Sequence, residues 1–470
     1  MISVGGLYMF EIDMKKPCRI HFIGIGGISM SALAQVLADA GFRVSGSDRQ
    51  ESELTRRLTS QGITVLYGHR RSNITADLDV MVYTSAIHPD NPEYQAAVEL
   101  QIPILSRAQL LGQIMKSYPT SIAVSGTHGK TSTTSMISDI LMHAQADPTL
   151  LVGGILSSIG GNLRIGHSEY FVTEACEYTN SFLSFFPTVG LILNIEEDHL
   201  DFFKDLDDIR HSFREFAALI PAHGCLIINY DIPDLDYITS ACKGKVITYT
   251  NRVGITEADY YPTTISYDKM ARPTFTLKGP AGQETEYTLH VPGAHNVANA
   301  IAAIALADYQ DIPSSISKQA LSDFNGTDRR FQYKGTLGGI TIVDDYAHHP
   351  TEIRMALTAA RNMSHKRLWC VFQPHTYTRT QAFLEEFAEA LSLADMVVLP
   401  DIYAAREVNE SGISSDHLRQ ALENRGTAAY YFPTFDEVEN FLLENCTTGD
   451  LLITMGAGDV VKIGENLLGI

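Results

Sequence analysis

The sequence predicts an α/β protein of three units, each built on a mainly parallel sheet, and three stretches carry that prediction. In the first, the apolar strand Arg19-Ile20-His21-Phe22-Ile23 runs into Gly24-Ile25-Gly26-Gly27-Ile28 and an Ala/Leu-rich helix over residues 29–40. In the second, Ile122-Ala123-Val124 runs into Ser125-Gly126-Thr127-His128-Gly129-Lys130-Thr131-Ser132-Thr133-Thr134 and a helical stretch over 136–141. In the third, apolar strands at 340–343, 368–372, 396–399 and 451–454 alternate with helical patterns at 351–361 and 381–391. Strands alternating with helices make parallel sheets covered by crossover helices.

Element by element, Gly41 ends the first helix, and the strand at 42–45 stops at Ser47-Asp48. That is a βαβ unit with glycines at its first turn and an acid after its second strand. Strands at 63–65, 80–83 (ending at Thr84-Ser85) and 102–105 follow, and the unit closes near Pro119. The second unit continues with strands at 170–173 and 190–194 and a helix at 207–219. From Lys245 to Val291, short alternating runs with turn residues predict an antiparallel patch, and a helix at 296–307 completes the unit. Asp323-Phe324-Asn325-Gly326 is a turn-rich join. The predicted boundaries are 1–119, 120–325 and 326–470.

Bulk properties agree with this division. At 470 residues the chain is long enough for two to four domains, because single cores stop growing near about 250–300 residues. A hydrophobic content of 45% with 19% charged residues describes a globular protein rather than a disordered one. No apolar run approaches the roughly 20 residues of a membrane span, and the opening residues do not resemble a secretory signal. Six cysteines lack any paired C-x-x-C spacing, so buried thiols and a cytoplasmic location are expected. A net charge of −20 argues against general nucleic-acid or anionic-membrane binding. It leaves room for anionic small molecules, and Mg²⁺ is their natural companion in an acidic shell.

The strongest chemical signal is the second glycine loop. A strand, a glycine turn and a helix start bearing lysine and hydroxyls cradle phosphate: backbone N–H groups and the helix dipole hold the anion, Lys130 neutralises it, and Thr131 can reach Mg²⁺. Only Thr127 and His128 separate Gly126 from Gly129, a shorter spacing than the common P-loop. An ordinary glycine turn capping a helix is the bland alternative. The first glycine loop, with Gly24, Gly26, Gly27, Ile28 and Ser29, is weaker. It suits a pyrophosphate, and Asp48 is placed to accept from a ribose hydroxyl. A nicotinamide cofactor and a nucleotide-activated sugar both fit it.

Ligand-type residues gather at other predicted strand ends, where open α/β sheets bind their ligands. Glu174 and Glu177 follow one strand, and Asn194-Ile195-Glu196-Glu197-Asp198-His199-Leu200-Asp201 follows another. A carboxylate and an imidazole there can hold Mg²⁺ against phosphates. His295-Asn296 and Asn299 open a helix after Pro292-Gly293, as caps or as contacts to a nucleotide. Asp328-Arg329-Arg330-Phe331 offers cations for a transferring phosphoryl group. Asp344-Asp345-Tyr346-Ala347-His348-His349-Pro350 and Gln373-Pro374-His375-Thr376-Tyr377-Thr378-Arg379 end two further strands.

Taken together, these motifs resemble the Mur ligase family from Gly24 to about Gly458, and its alanine-adding branch in particular. The resemblance implies a Rossmann-like first unit for the UDP-sugar, a P-loop ATPase-like central unit, and a Rossmann-like third unit carrying the amino-acid site. It assigns ATP to Gly126, Thr127, His128, Gly129, Lys130, Thr131, Ser132, His295, Asn296, Asn299, Arg330 and Asp345. It assigns magnesium to Thr131, Glu174 and His199, the UDP-sugar to Gly24, Gly26, Gly27, Ile28, Ser29, Asp48 and Ser85, and the amino acid to His348 and Arg379. Lys130, His199, Arg330 and His348 are the implied catalytic residues, with His348 orienting or deprotonating the amine. The implied reaction joins the lactoyl carboxylate of UDP-N-acetylmuramate to L-alanine through an acyl phosphate, with ATP as co-substrate, in a monomer or homodimer.

Two departures stand out. Relatives that add acidic or diamino acids carry a carbamylated lysine after the histidine, yet residues 205–220 contain no lysine. This agrees with the alanine-adding branch and leaves a second Mg²⁺ to His199 and substrate oxygens. Thr376 stands where some relatives have arginine, so Arg379 alone is carried over there. Three rivals remain open. A family member that joins a preformed tripeptide is told apart by which amine supports ADP release. A nucleotide-sugar dehydrogenase leaves Lys130 and Glu174 unused, and a non-catalytic nucleotide-binding regulator leaves the Asp-Tyr-Ala-His-His segment unexplained.

Overall fold

A computed structural model describes residues 3–4, 7–8, 10–84, 86–405 and 407–470. The first sheet has five parallel strands in the order Thr64–Tyr67, Arg43–Asp48, Arg19–Ile23, Val80–Tyr83, Ile104–Ser106. The order reverses at Arg19–Ile23, so the glycine loop after that strand sits at the switch point where such sheets bind ligands.

The central sheet has seven strands, ordered Gly161–Arg164, Thr149–Leu156, Tyr170–Ala175, Thr120–Ser125, Val189–Ile192, Cys225–Asn229, Lys245–Tyr249. Only the Gly161–Arg164 pairing is antiparallel. Ser125 pairs with Ala175 on one side and Ile192 on the other. That register brings the phosphate loop, Glu174 and the segment from Asn194 to His199 to one edge of the sheet. The inner strands are mainly apolar because both faces are covered, as in Val189–Ile192, buried throughout.

The antiparallel patch is smaller than the sequence predicts. It comprises Tyr261–Tyr267, Pro273–Lys278 and Glu284–Thr288. Lys245–Tyr249, expected to belong to it, instead pairs in parallel with Cys225–Asn229. As an edge strand it is only partly covered, so from Val246 to Tyr249 its side chains alternate between half-buried and buried like those of an antiparallel strand.

The third sheet runs Gln332–Leu337, Ile340–Asp345, Leu451–Met455, Leu368–Phe372, Met396–Leu399, Ala428–Tyr431, with only its first pairing antiparallel. Met455 pairs with both Asp345 and Phe372, which sets the two predicted ligand-bearing segments side by side. The helix expected at 381–391 is two helices, Tyr377–Ala382 and Leu384–Leu391, meeting at Phe383. Phe383 leaves helical geometry while its ring packs on Phe387 and His349. Between the first two units, helix Arg107–Met115 lies so close to Ser184 that Gly112 has no room for a Cβ. Among the described residues, no helix is long and apolar enough to cross a membrane.

Candidate active site

The phosphate loop follows Thr120–Ser125 and leads into helix Lys130–His143. Gly129 is the helix N-cap at φ 82° with no side-chain cap, so the first helical N–H groups are left for an anion. A Cβ on Gly129 would lie 2.6 Å from Asn299 Oδ1, so glycine is required by space as well as by φ. Asn194 ties the loop down: its Oδ1 accepts from the His128 N–H at 2.7 Å, and its Nδ2 donates to the His128 carbonyl at 3.1 Å.

Lys130 is held inside this loop. Its ammonium donates to the carbonyls of Gly126 and Thr127 and pairs with Glu177 at 3.1 Å. Burial favours the neutral amine, but the Glu177 carboxylate overrides it and keeps Lys130 charged, with a pKa above the ordinary range. Glu177 was visible in the sequence, but its partnership with Lys130 was not.

Glu174 and Thr131 both lie against one glycine pair. Gly153 donates its N–H to Glu174 Oε1 at 2.6 Å, and a Cβ on Gly153 would collide with that carboxylate. A Cβ on Gly154 would meet Thr131 at 3.2 Å. A carboxylate and a hydroxyl kept clear of side chains beside a phosphate loop form a hard-oxygen donor set suited to Mg²⁺. His199, the third predicted ligand, is at φ 53°, stacks on Tyr178 at 4.4 Å and lies 3.7 Å from Asp198. Tyr178 follows Glu177 directly, which brings His199 to the same neighbourhood.

A cavity of about 200 Å³ opens beside the loop. It is lined by eight residues assigned to ATP from the sequence: His128, Gly129, Ser132, His295, Asn296, Asn299, Arg330 and Asp345. Asn296 is not a cap, because Gly293 takes that place; its Nδ2 donates to the Pro292 carbonyl at 2.8 Å. Asn299 in turn donates to Asn296 Oδ1 at 3.2 Å. Burial, reinforced by nearby Arg330, pushes His295 down to about 4, so it is neutral. Asn229, Tyr249 and Asn251 also line the cavity and were missed. They stand on or just after two late strands of the sheet, and no motif surrounds them.

The two arginines of the join have separate tasks. Arg329 donates to Asp344 at 3.2 Å and to the carbonyls of Gly456 and Gly458, so it secures the third sheet. Arg330 faces the cavity, with its guanidinium 5.2 Å from the Tyr346 ring. Asp345 accepts from the N–H groups of Ala347 and Phe331 at 2.7 and 2.9 Å. Burial raises its pKa to about 7, against the pull of Arg330.

The third unit closes onto the central one. His349 donates from Nε2 to the Glu197 carbonyl at 3.0 Å, and Thr351 Oγ1 donates to Glu196 at 2.6 Å. Arg379 meets Asp198 at 2.7 Å. Thr376 caps the Arg379 helix from φ 65°, a strained position for a β-branched residue. Beside it, His348 and His375 rings lie 5.9 Å apart. Burial drives both to about 4. His348 Nδ1 lies 3.1 Å from the Tyr346 carbonyl, an atom that only accepts. The proton therefore sits on Nδ1, and Nε2 keeps its lone pair.

At the first glycine loop, Gly27 caps helix Ile28–Asp39 with no side-chain bond. Asp48 braces this loop: its oxygens accept from the N–H groups of Gly26 at 2.8 Å and Arg49 at 2.7 Å. Ser29 accepts from Arg107 at 3.2 Å, a cation the sequence did not single out. Ser85 lies outside the described residues.

Sequence comparisons find three family domains in succession along the chain. Residues 19–119 match the Mur ligase family catalytic domain, 124–307 the Mur ligase middle domain, and 329–458 the Mur ligase glutamate ligase domain. The chain belongs to the Mur ligase family. It is 58% identical to the UDP-N-acetylmuramate–L-alanine ligase of Agathobacter rectalis over 98% of this chain and 100% of that protein. The ligase of the same description from Lachnospira eligens is 53% identical over 98% and 100% of the two chains. Among solved structures, the UDP-N-acetylmuramate–alanine ligase of Thermotoga maritima superposes with a TM-score of 0.79 at 29% identity, covering 96% of this chain and 98% of that one. A murein peptide ligase from Psychrobacter arcticus reaches 0.68 at 25% identity, with the same coverage of both chains.

Proposed function

We propose that this Mur ligase joins the lactoyl carboxylate of UDP-N-acetylmuramate to L-alanine at the expense of ATP, a step of peptidoglycan precursor synthesis. One observation carries the reading: a charged, buried Lys130 stands in a glycine loop beside a cavity that Arg330 and Asp345 close from the third unit. The close relatives of this description, matched along their whole length, support alanine as the amine donor and weigh against a tripeptide. A nicotinamide enzyme would leave that lysine without a task.

The lactoyl carboxylate attacks the γ-phosphorus of ATP, forming an acyl phosphate and releasing ADP. The amine of alanine then attacks the acyl carbon, and phosphate leaves with one of the original carboxylate oxygens. Both steps crowd anionic oxygens, which Lys130 from the phosphate loop and Arg330 from the third unit offset. Thr131, Glu174 and His199 would hold Mg²⁺, whose charge neutralises phosphate oxygens when bound. His348, neutral with a free Nε2 lone pair, accepts a hydrogen bond from the incoming amine. With a pKa near 4 it orients the amine rather than taking up its proton. Arg379 supplies a cation for the carboxylate of the amino acid. The glycine-loop helix start, with Gly24, Gly26, Gly27, Ile28 and Ser29, takes the diphosphate of the UDP-sugar, and the nucleotide substrates imply a cytoplasmic enzyme.

The direct test is phosphate release with ATP, Mg²⁺ and UDP-N-acetylmuramate, adding amino acids and the tripeptide one at a time. L-Alanine supports release on this reading; release with the tripeptide alone overturns it.

A further inference from the structure

We propose that Glu352 is a positioning residue that couples the ATP loop to the amino-acid site through one buried carboxylate. Glu352 stands in the first turn of helix Pro350–Arg361, with its side chain 12% exposed. Its Oε1 lies 3.2 Å from Nδ1 of His128, in the phosphate loop of the central unit. Its Oε2 lies 3.4 Å from Nδ1 of His348 and accepts the His348 backbone N–H at 3.1 Å. Each oxygen therefore serves a different half of the reaction.

The link is closed by a second path. Nε2 of His128 lies 3.5 Å from Glu196, and Glu196 accepts from Thr351, the neighbour of Glu352. His128 is thus gripped between one carboxylate from its own unit and one from the facing unit. Burial alone would discharge it, but the two carboxylates raise its pKa to about 9. Glu352 in turn stays ionised against the cost of burial, held by the Nδ1–H side of neutral His348 and by the charges of His128 and Arg330.

A merely structural bridge has no need of this charge. Apolar residues of similar volume hold two surfaces together as well as a buried ion pair does, or better. What a charged bridge adds is direction: the orientation of His348 depends on where His128 stands, and the reverse. The placement of Glu352 on the wall of the cavity it shares with Arg330 and Asp345 fits that role. Resting on the alanine-ligase reading, the coupling aligns His348 for the amine only when the loop and the third unit are in register.

The test is a double-mutant cycle on the full-length enzyme, reading kcat and the KM for ATP, L-alanine and UDP-N-acetylmuramate. Glu352→Gln keeps the shape and removes the charge. It is expected to lower kcat by about tenfold to a hundredfold and to raise the KM for both ATP and alanine, leaving the UDP-sugar KM unchanged. In a His128→Gln background, Glu352→Gln adds no further rise in the KM for ATP, because the link is already cut. Should Glu352→Gln fail to accumulate folded, Glu196→Gln paired with His128→Gln reads the same circuit from its other side. Losses that multiply independently, or an effect confined to the UDP-sugar KM, overturn the coupling. If the wild-type enzyme releases no phosphate with alanine, the alanine-ligase reading fails instead.

Discussion

Arg379, in the third unit, lies 2.7 Å from Asp198, which follows a strand of the central sheet. Both side chains are almost fully buried, at 11% and 9% exposure. The cation proposed for the amino acid is thereby anchored by the unit proposed to hold ATP. Arg379→Ala removes the proposed amino-acid contact and strands a buried carboxylate. It is expected to raise the KM for alanine and to destabilise the fold by about 3 kcal/mol or more. Steady-state kinetics and denaturant unfolding measure the two effects separately.

Lys130 and Glu177 form a second buried pair, and here activity and stability divide. Lys130→Ala should lower kcat by roughly a hundredfold or more, through loss of transition-state charge. It also strands Glu177, whose side chain is 3% exposed, so the melting temperature falls. Adding Glu177→Ala recovers much of the melting temperature and none of the activity.

Gly129→Ala tests the loop itself. An alanine at φ 82° is strained by about 1–2 kcal/mol, and its Cβ presses on Asn299. ATP affinity measured by calorimetry should drop about tenfold or more, with UDP-N-acetylmuramate affinity preserved.

His128 gives a pH signature. Its pKa is raised from 6.5 to about 9 in the fold, so its ion pairs stabilise fully below about 6.5 and lose their contribution as pH rises through about 9. Melting temperatures taken from about pH 6 to about pH 10 should fall further for the wild-type protein than for His128→Gln.

The metal set is tested by removal. A chelator should abolish ATP turnover and added Mg²⁺ restore it. Glu174→Ala should need a higher Mg²⁺ concentration for half-maximal rate, by about tenfold or more.

The sheets were legible wherever both faces are covered. Leu368–Phe372 and Met396–Leu399 have the predicted bounds, because every residue of the first and nearly every residue of the second is buried apolar surface. Lys245–Tyr249 was misplaced because partial cover at a sheet edge imitates antiparallel alternation. The break at Phe383 was hidden because a large aromatic continues an apolar helical pattern while its backbone turns away. In the candidate site, eight motif residues singled out in the sequence do line one cavity, since a glycine loop and its neighbouring strand ends keep such residues consecutive. Glu352, Asn229 and Arg107 were not: each acts on a partner brought near only by the packing of separate units or strands. Nothing in the sequence says that the Asp48 oxygens also brace Gly26 and Arg49.

In the proposed mechanism, ATP phosphorylates the sugar-linked acid before the amine attacks. UDP-N-acetylmuramate labelled with ¹⁸O in its lactoyl carboxylate, turned over with ATP and L-alanine, tests it most directly. One labelled oxygen should appear in each phosphate released. Unlabelled phosphate formed alongside the amide product would rule out an acyl phosphate.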